Sequence, residues 1–362
     1  MRKFISKCLL LFCIFIFYGL FVIHFDTFNI FHWNNIRFTS AEPNKNYVKT
    51  KFVNNNPERF NAFVMGSSRV GNIPCDYLPE KLNDKDLYWY NMTYSEGIPS
   101  EHLLTLKSFL NNGVSIDMII LGFDNIAMYA KIDDHNCQLL RIPYQSYEDN
   151  PLYFYKTYLH TLPAFSIIKE VFKYKTSEHL EDTKFFYEYG VLKANTSFST
   201  SSEPVIFPSA HGNKTYSQTE SYKDIESICQ ICKENGIKLI LFTNPIYMTT
   251  YIDSVENGYF NFLRKVSRNC EFYNFSTLNT FSMDSRYYFE GSHYRPALGL
   301  IVEKVLFGTE EETNEIRNEA QDELFGIKVN SDNIDFIISE LEKQLKNKDD
   351  YRTISSIVLT SR

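Results

Sequence analysis

Hydrophobic and polar positions divide this chain into one long apolar run and a series of short ones. The long run, Cys8 to Ile23, is preceded by Arg2, Lys3 and Lys7 and followed by Asp26. As a helix its 16 residues rise about 24 Å, and Phe4 and Ile5 extend it towards a bilayer core of about 30 Å if Lys7 snorkels. A cleavable signal peptide needs a small-residue site, and His24-Phe-Asp-Thr-Phe offers none. Basic residues before the run and an acid after it predict a retained signal anchor, residues 1–24, with the remaining chain outside the membrane.

The short runs alternate with helical patterns. Asn61–Gly66, Leu87–Asn91, Asp117–Gly122 and Ile237–Pro245 read as buried strands stopped by Gly, Asn or Pro, and Glu271–Phe275 as the last strand. Between and after them, residues 99–113, 224–235, 254–268 and 295–307 carry helical spacing. Strands alternating with helices predict an α/β fold: three layers, α/β/α, around a mainly parallel sheet of about five strands. Ligands in such sheets bind beyond the carboxyl ends of the strands, which here carry Gly66, Asn91, Gly122 and Asn244-Pro245.

The expected organisation is a linker at 25–59, one domain at 60–307 and a charged helical extension at 308–362. The domain holds an insertion at 126–221. In it 152–175 reads as helix and 195–220 as loop, and the whole can serve as lid, substrate wall or packing. In the extension, Ser331 or Asp332 caps a helix through about Asn347, with Ile334, Ile337, Ile338, Leu341 and Leu345 on one face.

Composition changes this picture little. A net charge of −7 provides no basic face for nucleic acid. The 31 Phe and 25 Tyr read mainly as packing. Of seven cysteines, Cys8 and Cys13 sit in the anchor. The other five, Cys75, Cys137, Cys229, Cys232 and Cys270, are odd in number and show no spacing of a disulfide framework. Cys229-Gln-Ile-Cys232 looks like a redox or zinc half-site, but it falls inside a helical pattern with no second pair and reads as two buried small hydrophobes. No metal-ligand cluster or phosphate loop is present in the sequence, so no cofactor is implied.

The candidate chemistry sits at two distant points. Gly66-Ser67-Ser68-Arg69 leaves the first strand directly, which would present a serine hydroxyl and a backbone N–H at a helix start. Taken alone the pattern proves nothing, since Gly113-Val-Ser115 matches it too. Far downstream, Glu290-Gly-Ser-His293 precedes the closing helix, and no other of the eight histidines has an acid three residues earlier. A serine needs an imidazole to take its proton and a carboxylate to orient that imidazole.

These motifs together resemble the SGNH (GDSL-like) hydrolase superfamily, whose blocks run G-D-S-[LR], a Gly block, G-x-N-D and D-x-x-H. Gly66-Ser-Ser68-Arg69 matches the first, Asn91-Met-Thr-Tyr-Ser-Glu-Gly97 the second, Gly122-Phe-Asp124-Asn125 the third and Glu290-Gly-Ser-His293 the last. The resemblance, which covers about residues 60–307, implies Ser68 as nucleophile, His293 as base and Glu290 as orienter. Gly97, Asp124, Asn125 and Arg69 form the implied oxyanion and substrate-contact set.

Three positions depart from the family pattern. Asp124 stands where an oxyanion Asn belongs, Glu290 replaces Asp, and Glu96 sits where Gly is commoner; an ionised carboxylate cannot donate to an oxyanion. The Gly-Ser-Ser-Arg form, the anchor and the Ser292-His-Tyr-Arg-Pro296 close are most similar to teichoic-acid D-alanyl transfer proteins and polysaccharide O-acetylation proteins. That implies acyl transfer to an envelope glycan, with a membrane-bound O-acyltransferase as partner. A lipase or esterase acting on small esters, and a catalytically inactive glycan-binding scaffold, are the alternative readings.

Overall fold

The computed structural model describes residues 1–75, 78, 86–173, 176–191, 200–201, 204–210 and 219–346. Its centre is a six-stranded sheet: β1 (Ala62–Met65), β2 (Trp89–Asn91), β3 (Met118–Phe123), β4 (Lys238–Thr243), β5 (Phe272–Asn274) and β6 (Ile327–Val329). The strand order is β2-β1-β3-β4-β5-β6, and every pairing is parallel except β5 with β6. The chain is therefore α/β with a mainly parallel sheet, as the alternation predicts. Five strands lie on the expected runs. The sixth belongs to the C-terminal extension and pairs antiparallel on the edge.

Successive side chains of a strand point to opposite faces, and both faces are packed. Phe63, Met65, Ile119 and Leu121 join one apolar cluster, while Ala62, Val64, Met118 and Ile120 join another. This two-sided burial explains why the strands read as unbroken apolar runs instead of alternating ones.

The segment expected to be a linker contains a helix, Lys45–Asn54, whose residues 46–53 are all buried. Tyr47 and Val48 share a third core with Ile142, Tyr144, Phe154, Tyr158 and Phe186 of the insertion. Polar composition hides this burial because the polar groups have partners. The Lys51 ammonium meets the hydroxyls of Tyr47 (2.7 Å) and Tyr155 (2.8 Å) and lies 4.2 Å from the Tyr147 ring centre.

Within the insertion, the expected helix at 152–175 is two helices, Pro151–Leu159 and Phe165–Lys173, followed by a third, Thr176–Tyr189. Much of the expected loop (195–199, 202–203 and 211–218) lies outside the described residues. The C-terminal helix is Ile334–Lys346, with Ile334, Ile337, Ile338 and Leu341 buried.

The N-terminal helix, Arg2–Phe25, has 24 residues and rises about 36 Å. It is long and apolar enough to span a membrane.

Two cysteines do not follow expectation. Cys229 and Cys270 form a disulfide between the helix Tyr222–Glu234 and the entry to β5. Cys75 and Cys232 are buried thiols, whereas Cys137 is exposed.

Candidate active site

Gly66 ends β1 with φ of 140°, a conformation that side chains other than glycine rarely adopt. A Cβ there would also stand 2.6 Å from the Gly122 carbonyl of β3. The chain therefore turns sharply between two strands, and Ser67 and Ser68 emerge above the sheet. A short 3₁₀ turn, Val70–Asn72, follows directly instead of the expected helix start. Its N–H groups close on the serines: Val70 donates to the Ser67 carbonyl (3.1 Å) and Gly71 to the Ser68 carbonyl (3.2 Å).

The histidine arrives from the opposite end of the chain. Tyr288 and Tyr294 form an isolated antiparallel bridge, and the Phe289 N–H donates to the His293 carbonyl at 2.8 Å. That tight loop brings Glu290 beside His293, while Pro296 starts the helix Pro296–Phe307 just beyond. Asn72 ties the two halves together by donating to the Tyr294 carbonyl at 2.6 Å.

The three expected catalytic residues meet. Ser68 Oγ lies 2.7 Å from His293 Nε2, and His293 Nδ1 lies 2.5 Å from Glu290 Oε1. The same carboxylate oxygen accepts the His293 backbone N–H (2.8 Å) and the Ser292 hydroxyl (2.6 Å). Burial raises the Glu290 pKa, but the bonds from His293 and Ser292 more than offset that and hold the carboxyl down at about 2. Glu290 is thus an anion throughout the neutral range. An anion at Nδ1 leaves the proton there and the lone pair at Nε2, facing the serine.

The expected oxyanion set is placed differently. Asp124 is 2% exposed and does not line the cavity at Ser68. Its oxygens accept from the Ile126 N–H (2.8 Å), the Ser67 hydroxyl (3.2 Å) and the Asn244 amide (3.1 Å), and face the Arg69 guanidinium at 3.3 Å. Asp124 therefore caps the short helix Asn125–Tyr129. Arg69, also 2% exposed, donates to Asn125 Oδ1 at 2.5 Å, and Asn125 donates to Ser254 Oγ at 2.7 Å. Arg69, Asp124 and Asn125 form a buried network at the Ser67-Ser68 turn, and none of them lines the cavity.

Gly97 also stands behind the site. Its N–H donates to the Tyr94 carbonyl at 3.1 Å, and a Cβ on it would come within 2.5 Å of the Gly66 carbonyl. Neighbouring Glu96 has φ of 56°, the left-handed region that favours glycine. Arg141 at 2.9 Å and His135 at 3.6 Å hold its carboxylate there.

Ser68 and His293 open into a cavity of about 290 Å³ that is also lined by Lys45, Lys49, Asn72, Thr93, Phe186 and Glu290. Phe186 belongs to the insertion, as do Gly190 and Val191 on the same wall. The insertion is thus a wall of this cavity. Lys45 and Lys49 went unnoticed in the sequence, although their spacing of four puts them on one face of a helix. Lys49 is buried and donates to the Asn91 (2.9 Å) and Thr93 (2.6 Å) carbonyls. Burial and nearby Lys45 push its ammonium well below the usual lysine range.

No protein-family model matches the sequence, and no curated protein matches it.

Proposed function

We propose that the chain is a membrane-anchored serine acyltransferase or esterase of the SGNH kind, with a three-layer α/β/α domain acting outside the membrane on an envelope polysaccharide. The observation that carries this reading is the Ser68–His293–Glu290 relay at the carboxyl edge of a parallel sheet. Apolar clusters on both sheet faces support the three-layer architecture. An apolar N-terminal helix with basic residues before it, and a disulfide at Cys229–Cys270, support an anchored domain in an oxidising compartment.

In this mechanism the acyl carbonyl enters the cavity and Ser68 Oγ bonds to its carbon while the hydroxyl proton passes to His293 Nε2. The Ser68 N–H donates to the developing oxyanion. The tetrahedral adduct collapses, the leaving oxygen takes the proton from His293, and the acyl group remains on Ser68. A glycan hydroxyl then attacks the acyl-serine, with His293 again receiving the proton and returning it to Ser68. Water in place of the glycan makes the same chain an esterase. Glu290 stays ionised and keeps the imidazole in one tautomer. The acyl donor would come from a membrane-bound O-acyltransferase partner.

The test is ester content of purified envelope glycan from cells carrying the wild-type chain or Ser68→Ala. Loss of glycan acylation in the variant is expected. Unchanged acylation in the variant contradicts the proposal and favours a scaffold. Turnover confined to simple p-nitrophenyl esters favours a small-ester hydrolase.

A further inference from the structure

The N-terminal helix does not leave the domain as a free tether. One side of its last turn is buried, with Val22 and Phe25 at 4% and 5% exposure. Asp26 ends the helix, and its carboxylate accepts the N–H groups of Ile30 (2.8 Å), Phe31 (2.8 Å) and His32 (2.7 Å). Arg37 donates to the His24 carbonyl at 2.6 Å. The helix is therefore fixed where it enters the domain, and it packs there against the insertion helices Pro151–Leu159 and Phe165–Lys173. Phe25 meets Phe172 edge to face, with ring centres 5.5 Å apart.

These two insertion helices and the loop joining them carry a group of apolar side chains left in solvent. Leu152 is 85% exposed, Phe165 69% and Phe172 75%, with Tyr153 and Leu162 exposed as well. Phe165, Ile168 and Phe172 follow i, i+3, i+7 spacing along one helix face. Lys156, Lys169 and Lys173 are exposed among them, and the Lys169 ammonium lies 4.7 Å from the Phe165 ring centre. Aromatic and aliphatic side chains mixed with lysines suit the boundary between acyl chains and phosphate headgroups. An exposed apolar group of this kind marks an interaction surface.

We propose that the helix Phe165–Lys173, with Leu152 and Leu162, lies in the headgroup layer of the same bilayer that the N-terminal helix crosses. The inference rests on that helix being a membrane span. The occupant follows from continuity: the apolar group begins where Phe25 leaves the span and touches Phe172. Lysines at its edge match anionic lipid headgroups. The next helix, Thr176–Tyr189, carries Phe186 to the wall of the Ser68 cavity, so lipid contact would set the position of that cavity relative to the membrane.

The experiment uses the full chain reconstituted in phosphatidylcholine–phosphatidylglycerol vesicles containing lipid brominated near the glycerol end of its acyl chains, with a second set of vesicles brominated near the methyl end to reach the middle of the span. Bromine quenches tryptophan on contact. Phe165→Trp and Phe172→Trp probe the proposed surface, and Phe15→Trp probes the span. Phe336→Trp, on the exposed face of Ile334–Lys346, a helix that packs against the helix Tyr259–Ser267, is the control. Each is read as the emission added over the parent chain, which contains only Trp33 and Trp89. Phe15→Trp and both surface variants are expected to lose most of the added emission, and Phe336→Trp to keep it. Quenching of Phe15→Trp without quenching of Phe165→Trp and Phe172→Trp overturns the inference and leaves the anchor standing. Absence of quenching in all four overturns the anchor, and the inference with it.

Discussion

Ser68 Oγ lies 2.7 Å from His293 Nε2 across a separation of 225 residues. The contact depends on two local devices, the Gly66 turn that lifts the serine and the Tyr288–Tyr294 bridge that folds the histidine back. Residues behind these devices should affect stability, and residues in the relay should affect chemistry.

Glu290 belongs to the relay. Glu290→Gln is expected to lower turnover less than His293→Ala, because it disturbs only the orientation and charge balance of the imidazole. Losses at Ser68 and His293 should not add, since members of such a relay act as a unit. Steady-state rates of the single and double variants check both statements. An additive double variant would contradict a shared step.

Asp124 belongs to the support. Asp124→Asn keeps a side chain able to cap a helix but leaves the buried Arg69 guanidinium without its anion. Breaking such a buried pair is expected to lower stability by about 3 kcal/mol or more, measured by urea unfolding of the membrane-reconstituted chain. Unchanged stability together with a faster rate would put Asp124 at the oxyanion instead.

His135 should give the protein a pH-dependent joint between the insertion and the loop carrying Glu96. Burial lowers its pKa, but bonds to Glu101 (2.7 Å) and Glu96 (3.6 Å) more than offset that, raising the value to about 9. An unfolded histidine titrates at about 6.5. The stabilisation is therefore complete below about 6.5 and is lost as pH rises through about 9. Thermal unfolding followed from pH 6 to pH 10 should show this decline in the wild type and a flatter profile in His135→Gln. Equal slopes in the two would contradict it.

The Cys229–Cys270 bridge closes a loop with a sequence separation of 41. Chain-entropy reasoning gives about 4 kcal/mol for such a loop. Cys229→Ser with Cys270→Ser should lose a large part of that in chemical unfolding, and a variant as stable as the parent would show the bridge to be dispensable.

Much of this was legible in the sequence, for physical reasons that can be named. Strands packed in the sheet leave apolar, β-former-rich runs, so β1 to β5 could be read directly. The order of the serine, glycine and histidine motifs, with an acid three residues before His293, singled out residues that the fold brings together. Other features are tertiary. The helix Lys45–Asn54 reads as polar because Lys49 and Lys51 are buried against carbonyls and aromatic rings that come from elsewhere in the chain. β6 has three residues, too few to show a period. Asp124 was aligned by its motif to the oxyanion, and sequence position alone does not say which way a side chain points. One clue was available: an Asp directly before a short helical run is a capping signature.

The most direct test of the central claim is covalent labelling of the full-length chain by a fluorophosphonate, which reacts with a serine activated by a neighbouring imidazole. The account predicts one adduct by peptide mass spectrometry, on Ser68, that is absent in His293→Ala and reduced in Glu290→Gln. An unlabelled Ser68 in folded wild-type protein, or equal labelling with and without His293, would contradict it.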